Sequence, residues 1–265
     1  MRPRPEPSGP RSLAPREHGA YGQLFVPLVA ALAMGRPSIG AAGLAIAGSA
    51  VFFAHEPALI LLGRRGDRAR REVGERAGER LALLLAIALV AGLVAATSAP
   101  MSALVTAAAP LVLGAFVGWL VTRGQEKTTS GEMAAAAALA GVAVPVAIAA
   151  GVAPSTAWGA WGAWVIAFGA STWAVRAVIA HQKARVSPGR RVLPLVVAGA
   201  VSLAAAAQGV VPWFCAAAAA PMILVALAIA ASPPHPRSLK RVGWSLVGAS
   251  IAAAAILVTG TRLFA

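Results

Sequence analysis

The sequence predicts an all-α fold, a bundle of about nine transmembrane helices. Hydrophobic residues make up 58% of the 265-residue chain, and only 12% of the residues are charged. That charged share is about half of what a soluble domain carries. Apolar runs of about 20 residues recur along the chain, and each is long enough to cross the hydrocarbon of a bilayer. A polytopic membrane protein is therefore expected.

Clusters of Gly, Pro and Ser divide the apolar sequence into segments. The stretches "GRPS", "TSAP", "GVAPS", "GVVP" and "SPPHP" interrupt it, because these residues break helices. The nine predicted spans cover residues 20–34, 39–62, 81–97, 102–121, 132–150, 156–180, 192–208, 213–231 and 244–261. They form one domain over residues 16–265. The preceding residues 1–15, rich in Pro and Arg, are expected to be a disordered cytoplasmic tail.

The basic residues fall on alternate sides of these spans. Twenty-one of the 23 Lys and Arg lie in the N-terminal tail, after spans two, four and eight, or around the end of span six. Only Arg36 and Arg262 fall on the other side. The positive-inside rule then predicts a cytoplasmic N-terminus and an outside C-terminus in a multi-pass membrane protein. The net charge of +14 follows mainly from this topology. It indicates membrane lipids as partners and no nucleic acid.

Ionisable and amide side chains inside or beside the spans mark the candidate functional site, because such groups are costly in a membrane. Almost all of them fall in the cytoplasmic half, which predicts a polar, basic cavity open to the cytoplasm. The candidates for this cavity or for ligand binding are Arg16, Glu17, His18, Gln23, His55, Glu56, Asp67, Arg68, Arg71, Lys127, Glu132, Arg176, His181 and Lys183.

Arg176 lies deep enough in span six to call for a carboxylate, and Glu56 or Glu132 is the expected partner. The alternative is that the side chain extends to the interface. Glu17 is expected to pair with Arg176 or with a basic residue of another cytoplasmic loop.

At several of these positions a purely structural role is the alternative to a functional one. Pro57 either kinks span two or ends it. Asp67 is either part of the site or a loop salt bridge, and Glu132 can serve as a favourable charge at a helix N-terminus that begins near Ser130. The segment around Glu72 is expected to be a solvated helical lead into span three.

Cysteine and histidine give no metal signal in this sequence. The single cysteine, Cys215, cannot form an intrachain disulfide and is expected to be a small packing residue. The four histidines lie on separate segments, so no metal site and no cofactor are predicted. Tryptophan is expected at the membrane interfaces, at Trp158, Trp161, Trp164, Trp213 and Trp244.

Several short motifs carry a resemblance to a known family. The stretch "PREHGAYGQLFVPL" at the start of span one resembles the opening of the YwiC-like bacterial membrane proteins. The elements "AHEP", "EKTTSGEMAAA" and the Arg-x-x-x-x-His spacing of span six are similar to that family as well. The resemblance implies an architecture rather than an activity.

The layout is also loosely similar to the UbiA-type intramembrane prenyltransferases. That likeness implies nine helices with polar motifs after helices two and six, and two Asp-rich motifs that hold magnesium. This chain has a single aspartate, Asp67, and basic residues where the second motif would be. Metal-dependent ionisation of a diphosphate is therefore not favoured.

Three functions remain open on the sequence alone. The first is a membrane protein whose cytoplasmic cavity binds an anionic lipid, amphiphile or isoprenoid through its basic residues. The second is a UbiA-like enzyme with degenerate motifs, which alone would require Mg²⁺. The third is a proton-coupled transporter that uses His55, Glu56 and Glu132.

Overall fold

The computed structural model describes residues 13–15, 18–125, 127–184, 187–235 and 238–264. Within these ranges the regular structure is helical, without strands. The helices are α1 (His18–Met34), α2 (Ile39–Leu61), α3 (Asp67–Ser98), α4 (Met101–Thr106), α5 (Ala108–Thr122), α6 (Thr129–Gly141), α7 (Ala143–Ala149), α8 (Pro154–Ala184), α9 (Pro188–Ala207), α10 (Trp213–Ala231) and α11 (Leu239–Phe264). The predicted all-α fold is confirmed. Most of the predicted tail, with Arg16 and Glu17, lies outside the described residues.

Each predicted span coincides with one helix or with a pair of consecutive helices. Eight helical segments of the described chain are long and apolar enough to cross a membrane, with α4–α5 and α6–α7 each counting as one segment. The ninth, α1, has a shorter apolar stretch, Gly19–Met34. Span three is the apolar part of a longer helix, because α3 begins at Asp67 and includes the predicted polar lead.

Proline explains the two interrupted spans. Between α4 and α5 the helix breaks at Ala107, three residues before Pro110, and between α6 and α7 it breaks at Val142, three residues before Pro145. A proline has no N–H to donate to the carbonyl one turn earlier, and its ring crowds that carbonyl. The two breaks lie against each other, since a methyl group placed on Gly141 would meet Pro110 Cβ at 3.5 Å.

Small residues bring α2 and α3 together as an antiparallel hairpin. A Cβ atom on Gly40 would come within 2.8 Å of Ala99, and one on Gly43 would come within 2.8 Å of the Ala91 carbonyl oxygen. Such close backbone approach is the usual basis of helix association in lipid, where the hydrophobic effect gives no drive. At the other end of the hairpin, Ile60 of α2 packs on the polar lead of α3.

The core of the bundle lies along α6–α7, α8 and α10. In α6–α7, 61% of the apolar window is buried, against only 6% in α4–α5 and 11% in α3. The peripheral helices expose large apolar side chains such as Leu83, Leu89, Leu111 and Val112. In an integral membrane protein these side chains face the acyl chains.

The tryptophan prediction is wrong for part of the α8 cluster. Trp164 is 2% exposed and stacks on Phe168 with ring centroids 5.4 Å apart. The indole Nε1 of Trp161 donates to the Ala137 carbonyl oxygen of α6 at 2.9 Å. These rings reach the helix interfaces because α8 is central. Trp213 and Trp244 are exposed, as an interfacial position requires.

Contacts between helix ends show that successive spans alternate in direction. Ser38 Oγ, before α2, donates to the Ala149 carbonyl oxygen at 2.8 Å, and Arg262 Nε, near the end of α11, donates to the Ala33 carbonyl oxygen at 3.1 Å. The C-terminal end of α11 therefore lies at the end of the bundle opposite the start of α1. We call the end of the bundle at which α2, α5, α8 and α10 terminate the basic face.

Candidate functional site

Glu56 and Arg65 form the most buried ion pair of the basic face. Glu56 is 1% exposed, and α2 continues through Pro57 to Leu61, so the alternative in which Pro57 ends the span is wrong. The guanidinium of Arg65 folds back onto the carboxylate, with Nε–Oε1 3.0 Å and Nη2–Oε2 2.6 Å. Gly63 and Gly66 have φ of 72° and 87°, conformations that glycine adopts without strain. These glycines make the return of Arg65 possible.

The second ion pair joins two distant segments of the chain. Arg176 of α8 contacts both carboxylate oxygens of Glu132 in the first turn of α6, at 3.0 and 3.1 Å. Its Nη2 also donates to the Lys127 carbonyl oxygen at 2.7 Å. The predicted pairing of Arg176 with Glu132 is confirmed. The helix cap here is Thr128, whose hydroxyl oxygen accepts from Gly131 N at 3.1 Å.

A third link ties the turn after α2 to the end of α5. Arg64 Nη2 donates to the Thr122 carbonyl oxygen at 3.4 Å. The next residue, Arg123, stacks its guanidinium over the Trp119 ring at 4.8 Å. Trp119 is exposed on the lipid-facing side of α5. Cation–π stacking of this kind attracts the Arg123 guanidinium to the face of the indole ring.

An aromatic cluster anchors the start of α1 on α2. Tyr21 meets Phe52 edge-on with centroids 5.3 Å apart, and its hydroxyl donates to the Pro15 carbonyl oxygen at 3.1 Å. Leu13 is buried against Ile60, Val73 and Ala77. The residues on both sides of Arg16 and Glu17 are thus fixed to α2 and α3. Arg16, Glu17 and the side chain of His18 lie outside the described residues.

The remaining candidates are exposed or half-buried. His55, Asp67, Arg68, Arg71 and Lys127 are exposed, whereas Gln23 and His181 are half-buried. The side chain of Lys183 lies outside the described residues.

Asp67 and Arg68 belong to the polar lead of α3. Asp67 is the first residue of that helix, and Arg68 forms an i,i+4 pair with Glu72 at 2.6 Å. The enzyme alternative requires Asp67 in a closed site with Arg176, and an exposed position gives that alternative no support.

Among the arginines of this face that are missing from the sequence-predicted candidates, two are at least partly buried in specific surroundings. Arg65 is one, and the signal that could have found it is its place between two glycines nine residues after Glu56. The other is Arg191 in the first turn of α9, which is 4% exposed. No three His, Cys, Asp or Glu side chains of the described residues lie close enough together to hold a metal ion.

One sizeable groove lies away from the basic face, between α2 and α3. It encloses about 540 Å³ and is lined by apolar side chains, among them Ile39, Ile46, Ile87 and Val94. These residues lie on lipid-facing stretches of the two helices. The predicted polar cavity at the basic face stays a prediction.

A family model describing the YwiC-like protein matches residues 14–147, just over half of the chain. The chain belongs to the YwiC-like family. The matched region contains the Glu56–Arg65 pair and Glu132, whereas α8 to α11 lie beyond it. Neither the curated proteins nor the solved structures include a significant match. With its apolar helices, this YwiC-like protein is an integral, multi-pass membrane protein.

Proposed function

We propose that this YwiC-like protein binds the headgroup of an anionic lipid or amphiphile at its basic face. In this proposal the basic face lies on the cytoplasmic side of a bacterial inner membrane. One observation carries the proposal: exposed arginines lie at the ends of helices, and the adjacent turns of those helices face the lipid. A negatively charged amphiphile would satisfy both parts of that surface, the charges with its headgroup and the apolar stretch with its chain.

Several acidic groups of this face are already paired, and among the exposed arginines Arg68 shares an ion pair with Glu72. Glu56 is held by Arg65 and Glu132 by Arg176, and both pairs are bidentate. Arg71 is exposed and forms no ion pair with another described residue. The surface therefore keeps an excess of positive charge, in keeping with the net charge of +14.

The geometry of α3 narrows the class of amphiphile. Residues 81–98 span about 27 Å along the helix axis, close to the thickness of the hydrocarbon. Arg80 then lies at the headgroup level, while Arg71 and Arg68 lie about 14 and 18 Å further out. A multiply charged headgroup, such as that of an isoprenoid diphosphate, would be attracted to this row of arginines more strongly than the headgroup of a simple phospholipid would.

The Glu-His-Gly-Ala motif at residues 17–20 supports the same location of the binding site. Tyr21 packs on Phe52 and Leu13 packs on Ile60, and these two contact residues lie close in sequence to His55 and Glu56 of α2. In this proposal Arg16 and His18 contribute to headgroup binding, and Glu17 orients a neighbouring cation. No separate observation favours the enzyme or the transporter alternative.

The test is direct binding to the purified full-length protein. Native mass spectrometry would identify co-purified amphiphiles, and titrations with farnesyl diphosphate and farnesol would separate headgroup from chain binding. We expect the diphosphate to bind and farnesol to bind at least about tenfold more weakly. The double variant R68Q/R71Q should weaken diphosphate binding, whereas R36Q, which removes a charge from the opposite face, should not. A protein that carries no anionic amphiphile and binds neither farnesyl diphosphate nor phosphatidylglycerol would refute the proposal.

A further inference from the structure

Arg191 is a buried cation in the first turn of α9. Only 4% of its surface is exposed, and its Nε and Nη1 atoms are buried without a hydrogen-bond partner in the part of the chain that the structure describes. Its backbone position is fixed, since Trp173 Nε1 of α8 donates to the Arg191 carbonyl oxygen at 2.8 Å. Buried polar atoms normally have partners, so these two nitrogens call for an explanation.

Arginine cannot relieve this situation by losing its proton. A buried lysine or carboxylate can become neutral, but a guanidinium stays charged at every physiological pH. The start of α9 adds to the positive potential, because the first amides of a helix carry partial positive charge. The side chain of Ser187 does not cap them, and the first turn contains no acidic residue. A charge of this kind is stable only beside an anion.

The protein offers no carboxylate on the neighbouring helices. Among the described residues α9 packs mainly against α10 and α8, and neither helix contains Asp or Glu. The imbalance extends further, because residues 133–265 contain nine Lys or Arg and no acidic residue at all. Arg65 and Arg176, by contrast, have their glutamates from the first half of the chain.

We propose that the α8–α9 hairpin binds a phosphate-type oxyanion at the start of α9, through the Arg191 guanidinium and the first free amides of that helix. Helical side chains lean toward the N-terminus of their helix, which directs Arg191 toward those amides. The phosphate group of an anionic lipid is one such oxyanion, so this proposal rests on the proposed function. It lies outside residues 14–147, the region that the family model matches.

The neighbouring Arg190 provides a matched control, because it is exposed and carries the same charge one residue earlier. Full-length wild-type, R191Q, R190Q and R191K proteins would be titrated in neutral detergent with dioctanoyl-phosphatidylglycerol and, separately, with inorganic phosphate. Detergent removes the surface potential of a membrane, which would otherwise respond to any lost charge. We expect R191Q to weaken binding at least about tenfold and R190Q to change it less than about twofold.

R191K is the control for the case in which R191Q fails to fold, since lysine keeps the charge but lacks the planar fork of donors that arginine has. It should fold and bind with intermediate strength. Binding of phosphatidylglycerol alone would identify a lipid site, and binding of phosphate alone a site for a soluble anion; either supports the oxyanion proposal. Equal effects of R191Q and R190Q would overturn the hairpin site while leaving the proposed function intact. Wild-type protein that binds neither probe would overturn the hairpin site.

Discussion

Arg176 and Glu132 are 44 residues apart in sequence, and their side chains meet in a two-bonded ion pair between α8 and the first turn of α6. The distances are 3.0 Å for Nη2–Oε1 and 3.1 Å for Nε–Oε2. The same guanidinium binds the carbonyl oxygen of Lys127. One side chain thereby fixes the position of the central helix α8 relative to the connection between α5 and α6.

A double-mutant cycle with E132Q and R176Q should show a coupling free energy of about 1 kcal/mol. Both side chains are more than a third exposed, so solvent screening keeps the value well below that of a buried pair. R176Q alone should destabilise more than E132Q, because it also removes the bond to Lys127. Denaturant unfolding in detergent micelles measures these values. The variant E79Q, an exposed acid of α3, serves as a control, and a coupling below about 0.3 kcal/mol would contradict the prediction.

R65Q should lower the free energy of unfolding by about 1.5–3 kcal/mol, because it removes two charged donors from the buried carboxylate of Glu56. R68Q, a substitution three residues further along the chain than R65Q, removes the same kind of donor from Glu72. There both side chains are exposed and screened by solvent, so the loss should be clearly smaller than that of R65Q. Thermal unfolding of the two variants in the same detergent gives the comparison. Equal losses would show that burial does not strengthen the Glu56 contact.

G43A should destabilise the bundle by about 1–3 kcal/mol, because the added methyl would lie 2.8 Å from the Ala91 carbonyl oxygen and force α2 away from α3. G92A, on the α3 side of the same hairpin, meets nothing within 4 Å. It should be neutral or raise stability by about 0.5–1 kcal/mol, since alanine favours a helix interior over glycine. Unfolding midpoints of both variants test the pair, and a neutral G43A would rule out the close approach.

The predicted orientation can be tested by cysteine labelling in whole cells. The buried Cys215 is first replaced by alanine, which leaves a cysteine-free chain. R36C and K127C then introduce exposed thiols at opposite faces of the bundle. A membrane-impermeant maleimide should label R36C in intact cells and K127C only after permeabilisation. The reverse pattern would place the basic face outside.

The helices could be predicted from the sequence because the bilayer fixes the length of a span. The positions of the two helix breaks could not. Pro110 and Pro145 interrupt their spans, whereas Pro57 and Pro221 lie within unbroken helices. A proline in an apolar run has the same local signature in all four cases, and packing against neighbours decides which helix breaks.

The site was only partly predictable for a similar reason. The Arg176–Glu132 pair followed from two charges confined to the same end of the bundle. The contact of Arg65 with Glu56 depends on the positive φ angles of Gly63 and Gly66, which no spacing rule specifies. Trp164 was misplaced because a tryptophan near a span end has the same sequence context at an interface and in a core. The unpartnered Arg191 could be recognised only once the neighbours of α9 were known.

The paired breaks at Ala107 and Val142 have a mechanical consequence. An unbroken α-helix is stiff, and bending concentrates where its hydrogen-bond ladder is interrupted. Because the breaks of α4–α5 and α6–α7 lie against each other near Pro110 and Gly141, the two spans share one axis of bending. Lateral pressure on this side of the bundle would therefore be relieved at a single seam, which lies nearer the end of the bundle opposite the basic face.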